Sequence, residues 1–226
     1  MTELSPSQTK SVSTGSLLLV LFLIYELPVR LLLQPDPWLL EPGHWYFSQP
    51  LRLITEYGLL ISMLLITFRF VPSLLKVPRH CYPHLVIGML ICIPLFAVLE
   101  WRQLNASLDA PVYLFLMWLL SGFAIGMGQE LLYRGWLFTS LRSRMSSGWA
   151  SAVTTLIFVL APLHSVRLWD YSLQGEFTVV LILISIYVGV SYAFQWLRDV
   201  SQSALLPGLV HGAGNAITWA AVFTST

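Results

Sequence analysis

Long runs of apolar residues, separated by short polar connections, fill the chain from about position 16 to its end. A helix that crosses the hydrocarbon core of a membrane needs about 20 mostly apolar residues. Seven runs approach that length, so we expect an all-α, polytopic bundle of about seven transmembrane helices in one domain, without a soluble lobe. The runs are Ser16–Leu33, Leu53–Phe70, His84–Leu99, Pro111–Leu132, Trp149–Leu163, Phe177–Phe194 and Ala204–Phe223.

The least regular of these runs is the fifth, which is short and has Pro162 near its end. Proline ends or kinks a helix, so we expect this segment to continue past His164 or to be supported by a neighbouring helix. Residues 1–15 are polar and rich in Ser and Thr, which predicts a disordered tail. Residues 16–110 then form N-terminal transmembrane helices, and residues 111–226 hold the candidate chemistry.

The composition agrees with a membrane protein, since 56% of the residues are hydrophobic and only 10% are charged. Soluble domains carry about 25% charged residues. The net charge of +1 argues against nucleic acid as a partner, which requires a concentrated basic face. Cys81 and Cys92 are too few for a disulfide framework, and their separation matches no zinc-ligand spacing.

The placement of Lys and Arg predicts the orientation, because cytoplasmic loops carry an excess of basic residues. With the N-terminus in the cytoplasm, eight basic residues fall inside and four outside. We therefore expect a cytoplasmic N-terminus, an external C-terminus and a place in the bacterial inner membrane. The inner group is Lys10, Arg69, Lys76, Arg79, Arg134, Arg142, Arg144 and Arg198; the outer group is Arg30, Arg52, Arg102 and Arg167.

Ionisable residues inside these runs are functional candidates, since a charged group in hydrocarbon costs several kcal/mol unless it is paired or hydrated. Glu130 and Arg134, at the end of the fourth run, are four residues apart and can pair on one helix face. Gln129 points about 100° away from Glu130. A structural ion pair at a helix end explains this segment about as well as a functional site does.

Two further polar positions lie in later runs. His164 lies at the broken end of the fifth run, where a lone histidine is more often interfacial than functional. His211 and Asn215 project from one face of the seventh run, between glycines that allow close helix packing, and here the functional interpretation is favoured. We interpret Glu26 with Arg30, and Glu56, as structural pairing or the lining of a polar cavity.

These residues come from three predicted helices and could converge on one cavity. Two histidines, a carboxylate and an amide suffice to activate one water on a carbonyl group. They could equally coordinate zinc, with His164 and His211 as ligands. The chain contains no HExxH, no GxSxG and no paired aspartates, which argues against the common zincin, serine-hydrolase and aspartyl layouts.

The motifs Gln129-Glu130-x-x-x-Arg134-Gly135, His164 and His211-x-x-x-Asn215 resemble the CAAX protease and bacteriocin-processing (CPBP) family of intramembrane proteases, which includes the type II CAAX prenyl endopeptidases. The resemblance covers roughly residues 115–220, the last four helices. It implies that Arg134 orders the site, that Glu130 and His164 match the first and second motifs, and that His211 and Asn215 help to hold the water and the oxyanion. The family has been described both as metal-dependent and as using a glutamate-activated water.

Two positions depart from the family pattern. Its first motif begins with a glutamate, the proposed general base, where this chain has Gln129, and an amide cannot take a proton from water at neutral pH. The family's phenylalanine four residues before the second-motif histidine is replaced by Leu160, with Phe158 displaced by two positions. Either Glu130 or His211 then serves as base, or the site is inactivated, or the chain is a non-catalytic homologue that binds peptides.

We expect an intramembrane endopeptidase that cleaves a membrane-associated or lipid-modified protein, or a sorting tail, in the lipid bilayer. Hydrolysis by the chain as written is expected to be weak, with peptide binding retained, and Gln129→Glu is expected to raise it. A non-catalytic peptide-binding homologue is the alternative. A small transporter is the least favoured hypothesis, since no inverted repeat with broken helices is evident.

Overall fold

The structure is a computed structural model that describes residues 6–41 and 43–224 of the chain. Throughout these residues the regular elements are helical and strands are absent, which confirms the all-α prediction. Two π-helical segments, Tyr25–Val29 and Leu131–Leu137, follow α1 and α6. The α-helices are α1 (Pro6–Ile24), α2 (Arg30–Leu33), α3 (Gln49–Phe70), α4 (Tyr82–Leu99), α5 (Trp101–Ala106), α6 (Val112–Glu130), α7 (Phe138–Arg142), α8 (Ser147–Val159), α9 (Pro162–Leu173), α10 (Phe177–Ser201) and α11 (Leu205–Phe223).

The membrane-spanning character of the chain is confirmed, although the number of spans differs from seven. Among the described residues, five helical segments are long and apolar enough to cross a membrane, and six if the bent α8–α9 pair counts as one span. The seventh run forms α11, a largely buried helix that is not among these segments. The five segments are Ser13–Leu33, Pro50–Phe70, Arg79–Leu99, Val112–Arg142 and Phe177–Ser201.

The N-terminal helix begins earlier than the hydrophobic pattern indicates. α1 starts at Pro6, so residues 6–15 of the expected disordered tail are helical, while residues 1–5 lie outside the described part. Proline is favoured in the first turn of a helix, where its missing N–H has no intrahelical partner to lose. The fifth run does continue past His164: α8 ends at Val159, α9 begins at Pro162, and the two are bent by 55°.

The chain divides into two compact units that interleave along the sequence and cut across the expected division at residue 111. The first unit contains the chain up to Asp36 together with Leu132–Trp196. In it, α1 packs on α7, α7 on α8, and α8 on α9. Phe22 lies edge-on against Tyr133, with 5.3 Å between ring centroids, which fixes α1 to the π-helical segment after α6.

The second unit contains Pro37–Leu131 and the chain from Leu197 onward. Its centre is the pair α6 and α11, with α3 against α6 and α4 against α11. One end is filled by an aromatic cluster that includes Trp118, Trp219 and Phe223, and the Trp118 and Phe223 ring centroids lie 4.8 Å apart. α11 is therefore held on several sides, which places His211 inside the unit.

Candidate active site

The first motif lies where α6 gives way to a π-helix. Every residue from Ser121 to Phe138 is buried, apart from the partly exposed Phe123, and both Gln129 and Glu130 belong to this stretch. π-Helical segments are rare and occur frequently at functional sites, because the wider turn redirects side chains. The spacing of the motif was visible in the sequence, but this change of helix type was not.

Glycines bring α6 and α11 into backbone contact in the second unit. A Cβ atom built on Gly126 would lie 2.9 Å from the Cα and N atoms of Gly212, and a Cβ on Gly212 would lie 2.9 Å from the carbonyl oxygen of Phe123. The expected close approach at Gly212 is therefore confirmed. A Cβ on Gly214 would meet Cys92 Sγ at 2.7 Å, so the absence of a side chain at Gly214 allows α4 to pack closely on α11.

The close approach brings Glu130 and His211 together. His211 Nδ1 lies 2.9 Å from Glu130 Oε1; the glutamate is fully buried and the histidine is 8% exposed. An ionised Glu130 carboxylate would accept this hydrogen bond, with the proton carried by Nδ1. Nε2 is then the ring nitrogen with the lone pair, and this is the tautomer of a histidine general base.

The start of α11 is held in place by hydrogen bonds of Ser203 and Ala204, which directly precede it. Ser203 Oγ accepts a hydrogen bond from the Leu205 N–H at 3.1 Å and donates one to the Leu74 carbonyl at 2.8 Å. The Ala204 N–H also bonds to the Leu74 carbonyl, at 2.9 Å. These bonds set the axial position of α11 and hence the height of His211 within the second unit.

Gln129 and Asn215, both in the second unit, carry the two amide groups of the predicted site. Gln129 is 5% exposed, whereas Asn215 is half-buried, and neither side chain makes a hydrogen bond within residues 6–41 and 43–224. The Asn215 carbonyl oxygen lies against Gly122 of α6. Their amide groups are thus available to hydrogen-bond a substrate, a role that remains a prediction.

Arg134 lies in the first unit, in a buried polar cluster. Its Nη2 donates to the Ser191 carbonyl at 3.0 Å and to Ser191 Oγ at 2.8 Å, and Thr155 Oγ1 lies 2.9 Å from the same hydroxyl. The guanidinium carbon is 4.7 Å from the centroid of the Phe158 ring. Arg134 therefore orders the helices around Phe158, and its pairing with Glu130 stays a prediction.

His164, also in the first unit, is held by Phe158. His164 Nδ1 lies 2.6 Å from the Phe158 carbonyl oxygen, and the two ring centroids are 4.6 Å apart. Leu160, at the position of the family's phenylalanine, is 60% exposed. Phe158, although displaced in the sequence, thus makes the aromatic contact with the second-motif histidine. The convergence of both histidines on one cavity remains a prediction.

A buried network around Arg52 was missed at the sequence level. Arg52 was assigned to an outer connection, but it lies within α3, fully buried, with its guanidinium carbon 3.2 Å from the Trp118 ring centroid. Arg52 Nε donates to Ser121 Oγ at 2.9 Å and lies 3.9 Å from Glu56 Oε1. The i,i+4 spacing of Arg52 and Glu56 was the available signal.

The interpretation of Glu26 and Arg30 as a structural pair is confirmed. Arg30 Nε donates to Glu26 Oε2 at 3.0 Å, and the Tyr133 hydroxyl donates to Glu26 Oε1 at 2.8 Å. Glu26 and Tyr133 also line a mostly apolar groove of about 360 Å³ within the first unit. The groove is bounded by Leu19, Phe22, Leu23, Leu27, Leu137, Leu156, Ile157, Leu160, Ala161 and Pro162.

Coordination of zinc by His164 and His211 remains a prediction. The described residues contain no group of three or more His, Cys, Asp or Glu side chains placed to hold a metal ion. His211 Nδ1 and Glu130 Oε1 bond directly to each other, and at 2.9 Å the two atoms leave no room for an ion between them. We therefore derive no catalytic step through a metal.

Comparison with known proteins finds a similarity for the later part of the chain. Residues 111–217 match the family model described as Type II CAAX prenyl endopeptidase Rce1-like. No match was found among curated proteins or among solved structures. The matched region contains every residue of the three motifs, from Gln129 to Asn215. Residues 111–217 are therefore similar to the Rce1-like type II CAAX prenyl endopeptidases, a family of intramembrane proteases.

Proposed function

We propose that this chain is an intramembrane endopeptidase in which His211, oriented by Glu130, activates the attacking water. The observation that carries the proposal is the 2.9 Å contact between His211 Nδ1 and the buried Glu130 carboxylate. A carboxylate that fixes one nitrogen of an imidazole leaves the other as the base. The family's own glutamate position is Gln129, so this arrangement supplies a base that the first-motif position lacks.

The reaction uses ordinary acyl-transfer chemistry. His211 Nε2 takes a proton from water while the water oxygen attacks the scissile carbonyl carbon. The Glu130 carboxylate stabilises the imidazolium that forms. The protonated Nε2 then returns the proton to the departing amine nitrogen as the C–N bond breaks. The Asn215 side-chain amide, one helical turn from His211, donates to the oxyanion.

Gln129 retains hydrogen-bonding capacity but not basicity. Its NH₂ group can donate to a substrate carbonyl, and its oxygen can accept from the attacking water, so it can position both without deprotonating either. We expect hydrolysis to be slow for this reason. One positioned base contributes about 10²–10⁴-fold, so Gln129→Glu should raise turnover by at least about a hundredfold.

The proposed substrate is a membrane-associated or lipid-modified protein. The apolar groove beside Glu26 and Tyr133, about 360 Å³ in volume, supports an apolar ligand, and the family's name supports a prenyl group. A prenylated peptide should therefore be cleaved faster than the same peptide without its lipid. The alternative, a non-catalytic homologue that binds such peptides, is favoured by the amide at position 129.

The deciding experiment measures hydrolysis of prenylated peptides by the purified chain in lipid nanodiscs. His211→Gln and Glu130→Gln should each lower the rate by about 10²-fold or more, the value of one base. His80→Gln, which alters an exposed histidine, is the control and should leave the rate unchanged. A chelator should have no effect.

The outcomes separate the alternatives. Unchanged hydrolysis in His211→Gln would overturn the proposed base. Loss of activity in chelator would replace it with a metal-dependent mechanism. Peptide binding without hydrolysis, in the chain as written and in Gln129→Glu alike, would favour the non-catalytic homologue.

A further inference from the structure

The break between α8 and α9 leaves one backbone carbonyl without its helical partner. In a continuous α-helix the Phe158 carbonyl would accept from the N–H of residue 162. That residue is Pro162, which has no N–H, and α8 ends at Val159. A carbonyl buried near a helix end requires another donor.

Two donors take the place of the missing N–H, and one of them is His164. The Phe158 carbonyl accepts from the Ala161 N–H at 3.2 Å and lies 2.6 Å from His164 Nδ1. A backbone carbonyl can only accept, so the proton of the neutral imidazole must be on Nδ1. Nε2 then carries the lone pair, as the hydrogen bond at one ring nitrogen decides the state of the other.

A second contact restricts rotation of the imidazole ring. The Tyr187 ring of α10 lies 4.2 Å from the His164 ring, with an interplanar angle of 30°, and the Phe158 ring lies on another side at 4.6 Å and 62°. Turning the ring about its Cβ–Cγ bond, which would move Nδ1 away from the Phe158 carbonyl, would disturb both packing contacts. The aromatic rings therefore hold the orientation that the Phe158 carbonyl selects.

Two residues of the first-motif segment, Tyr133 and Arg134, also pack against Phe158. Phe158 is buried, with the Tyr133 ring edge-on at 5.2 Å and the Arg134 guanidinium carbon 4.7 Å from its centroid. Fixing the Phe158 side chain also fixes the carbonyl of the same residue. Arg134 thus acts on His164 through Phe158.

We infer that Pro162 and Tyr187 are positioning residues that hold His164 as its Nδ1-protonated tautomer, with Nε2 presented as a hydrogen-bond acceptor. The inference takes from the sequence analysis only the prediction that His164 belongs to the catalytic site. The tautomer itself is a property of the first unit and can be measured in the absence of any substrate.

The test is ¹⁵N NMR of the full-length chain labelled at its five histidines and embedded in nanodiscs. The His164 signals are assigned by their loss in His164→Gln. The parent should show His164 protonated at Nδ1 and unprotonated at Nε2. Pro162→Ala restores a competing N–H, and Tyr187→Leu removes the stacked ring; each should convert the single pattern into a mixture of tautomers.

The matched control is Tyr187→Phe, which keeps the ring and removes only the hydroxyl, and should retain the parent pattern. A proton on Nε2 in the parent overturns the inference directly, without any variant. Unchanged patterns in both Pro162→Ala and Tyr187→Leu would also overturn it. Unchanged signals from the remaining histidines confirm that a variant is folded, whereas a misfolded variant would change these signals as well. Absence of peptide hydrolysis would count against His211 as the base and would not bear on the tautomer of His164.

Discussion

The glycine contact between α6 and α11 allows a test of the proposed site that leaves its chemical groups intact. In Gly126→Ala the new Cβ would lie 2.9 Å from the Cα of Gly212 and from the carbonyl carbon of His211. Carbon atoms pack best at about 3.5–4.0 Å, so the helices must separate locally by about 0.6–1 Å. The bond from His211 to Glu130, now 2.9 Å, would stretch beyond hydrogen-bonding distance.

The expected result is a fall in turnover of about 10²-fold, the effect of a displacement of about 1 Å in a catalytic arrangement. Overpacking should also lower the free energy of unfolding by about 1–3 kcal/mol. The assay is hydrolysis of the same lipidated peptide by both proteins, repeated in the Gln129→Glu background, with thermal unfolding measured in parallel. Because the substitution removes no polar group, slower hydrolysis by a correctly folded variant would be due to the altered spacing of α6 and α11.

Gly208→Ala is the matched control. Gly208 lies on α11, one helical turn before Gly212, and also faces α6. Its Cβ would meet Met127 Cγ at 3.4 Å and Glu130 Cβ at 3.6 Å, which are ordinary contact distances. It adds the same methyl group to the same helix pair and should keep the parent rate. If Gly126→Ala is folded and hydrolyses as fast as Gly208→Ala, then catalysis does not depend on the Glu130–His211 contact, and the proposed mechanism is refuted.

Two further predictions concern orientation and the buried ion pair. Reporter fusions after Arg79 and after Asp109 should read cytoplasmic and external respectively; opposite readings would reverse the predicted orientation. Arg52→Met should destabilise the protein by about 3–5 kcal/mol in thermal unfolding, because it leaves Glu56 as an uncompensated buried charge. Adding Glu56→Gln should recover part of the loss, and no recovery would show that the Arg52 contacts with Trp118 and Ser121 dominate.

The sequence predicted the helices well because their signal is local. Each of the seven runs became helical, and Pro162 correctly marked the break before α9. The predicted i,i+4 pair Glu26–Arg30 is formed, and the Arg52–Glu56 contact, which was not predicted, has the same spacing. The start of α1 was missed because residues 6–15 are polar and their helix has no hydrophobic pattern to reveal it.

The partners of the site residues could not be predicted in the same way. His211 and Glu130 are 81 positions apart, and their contact depends on how glycines on two helices meet. Phe158 lies two positions from its place in the family pattern, and only the break at Pro162 shows that its carbonyl and ring contact His164. Tertiary contacts of this kind are set by packing, which single-sequence periodicity does not contain.

The two histidines differ in the group that accepts their Nδ1 proton, and this difference separates their roles. His211 donates to a carboxylate, His164 to a neutral carbonyl. When Nε2 takes a proton, a carboxylate partner stabilises the resulting cation far more than a carbonyl does, because charge-assisted hydrogen bonds are about twice as strong as neutral ones. The proton from water should therefore go to His211, while His164 stays neutral and accepts a hydrogen bond. On this reasoning Glu130 acts through His211, so the chain keeps a base although position 129 holds an amide.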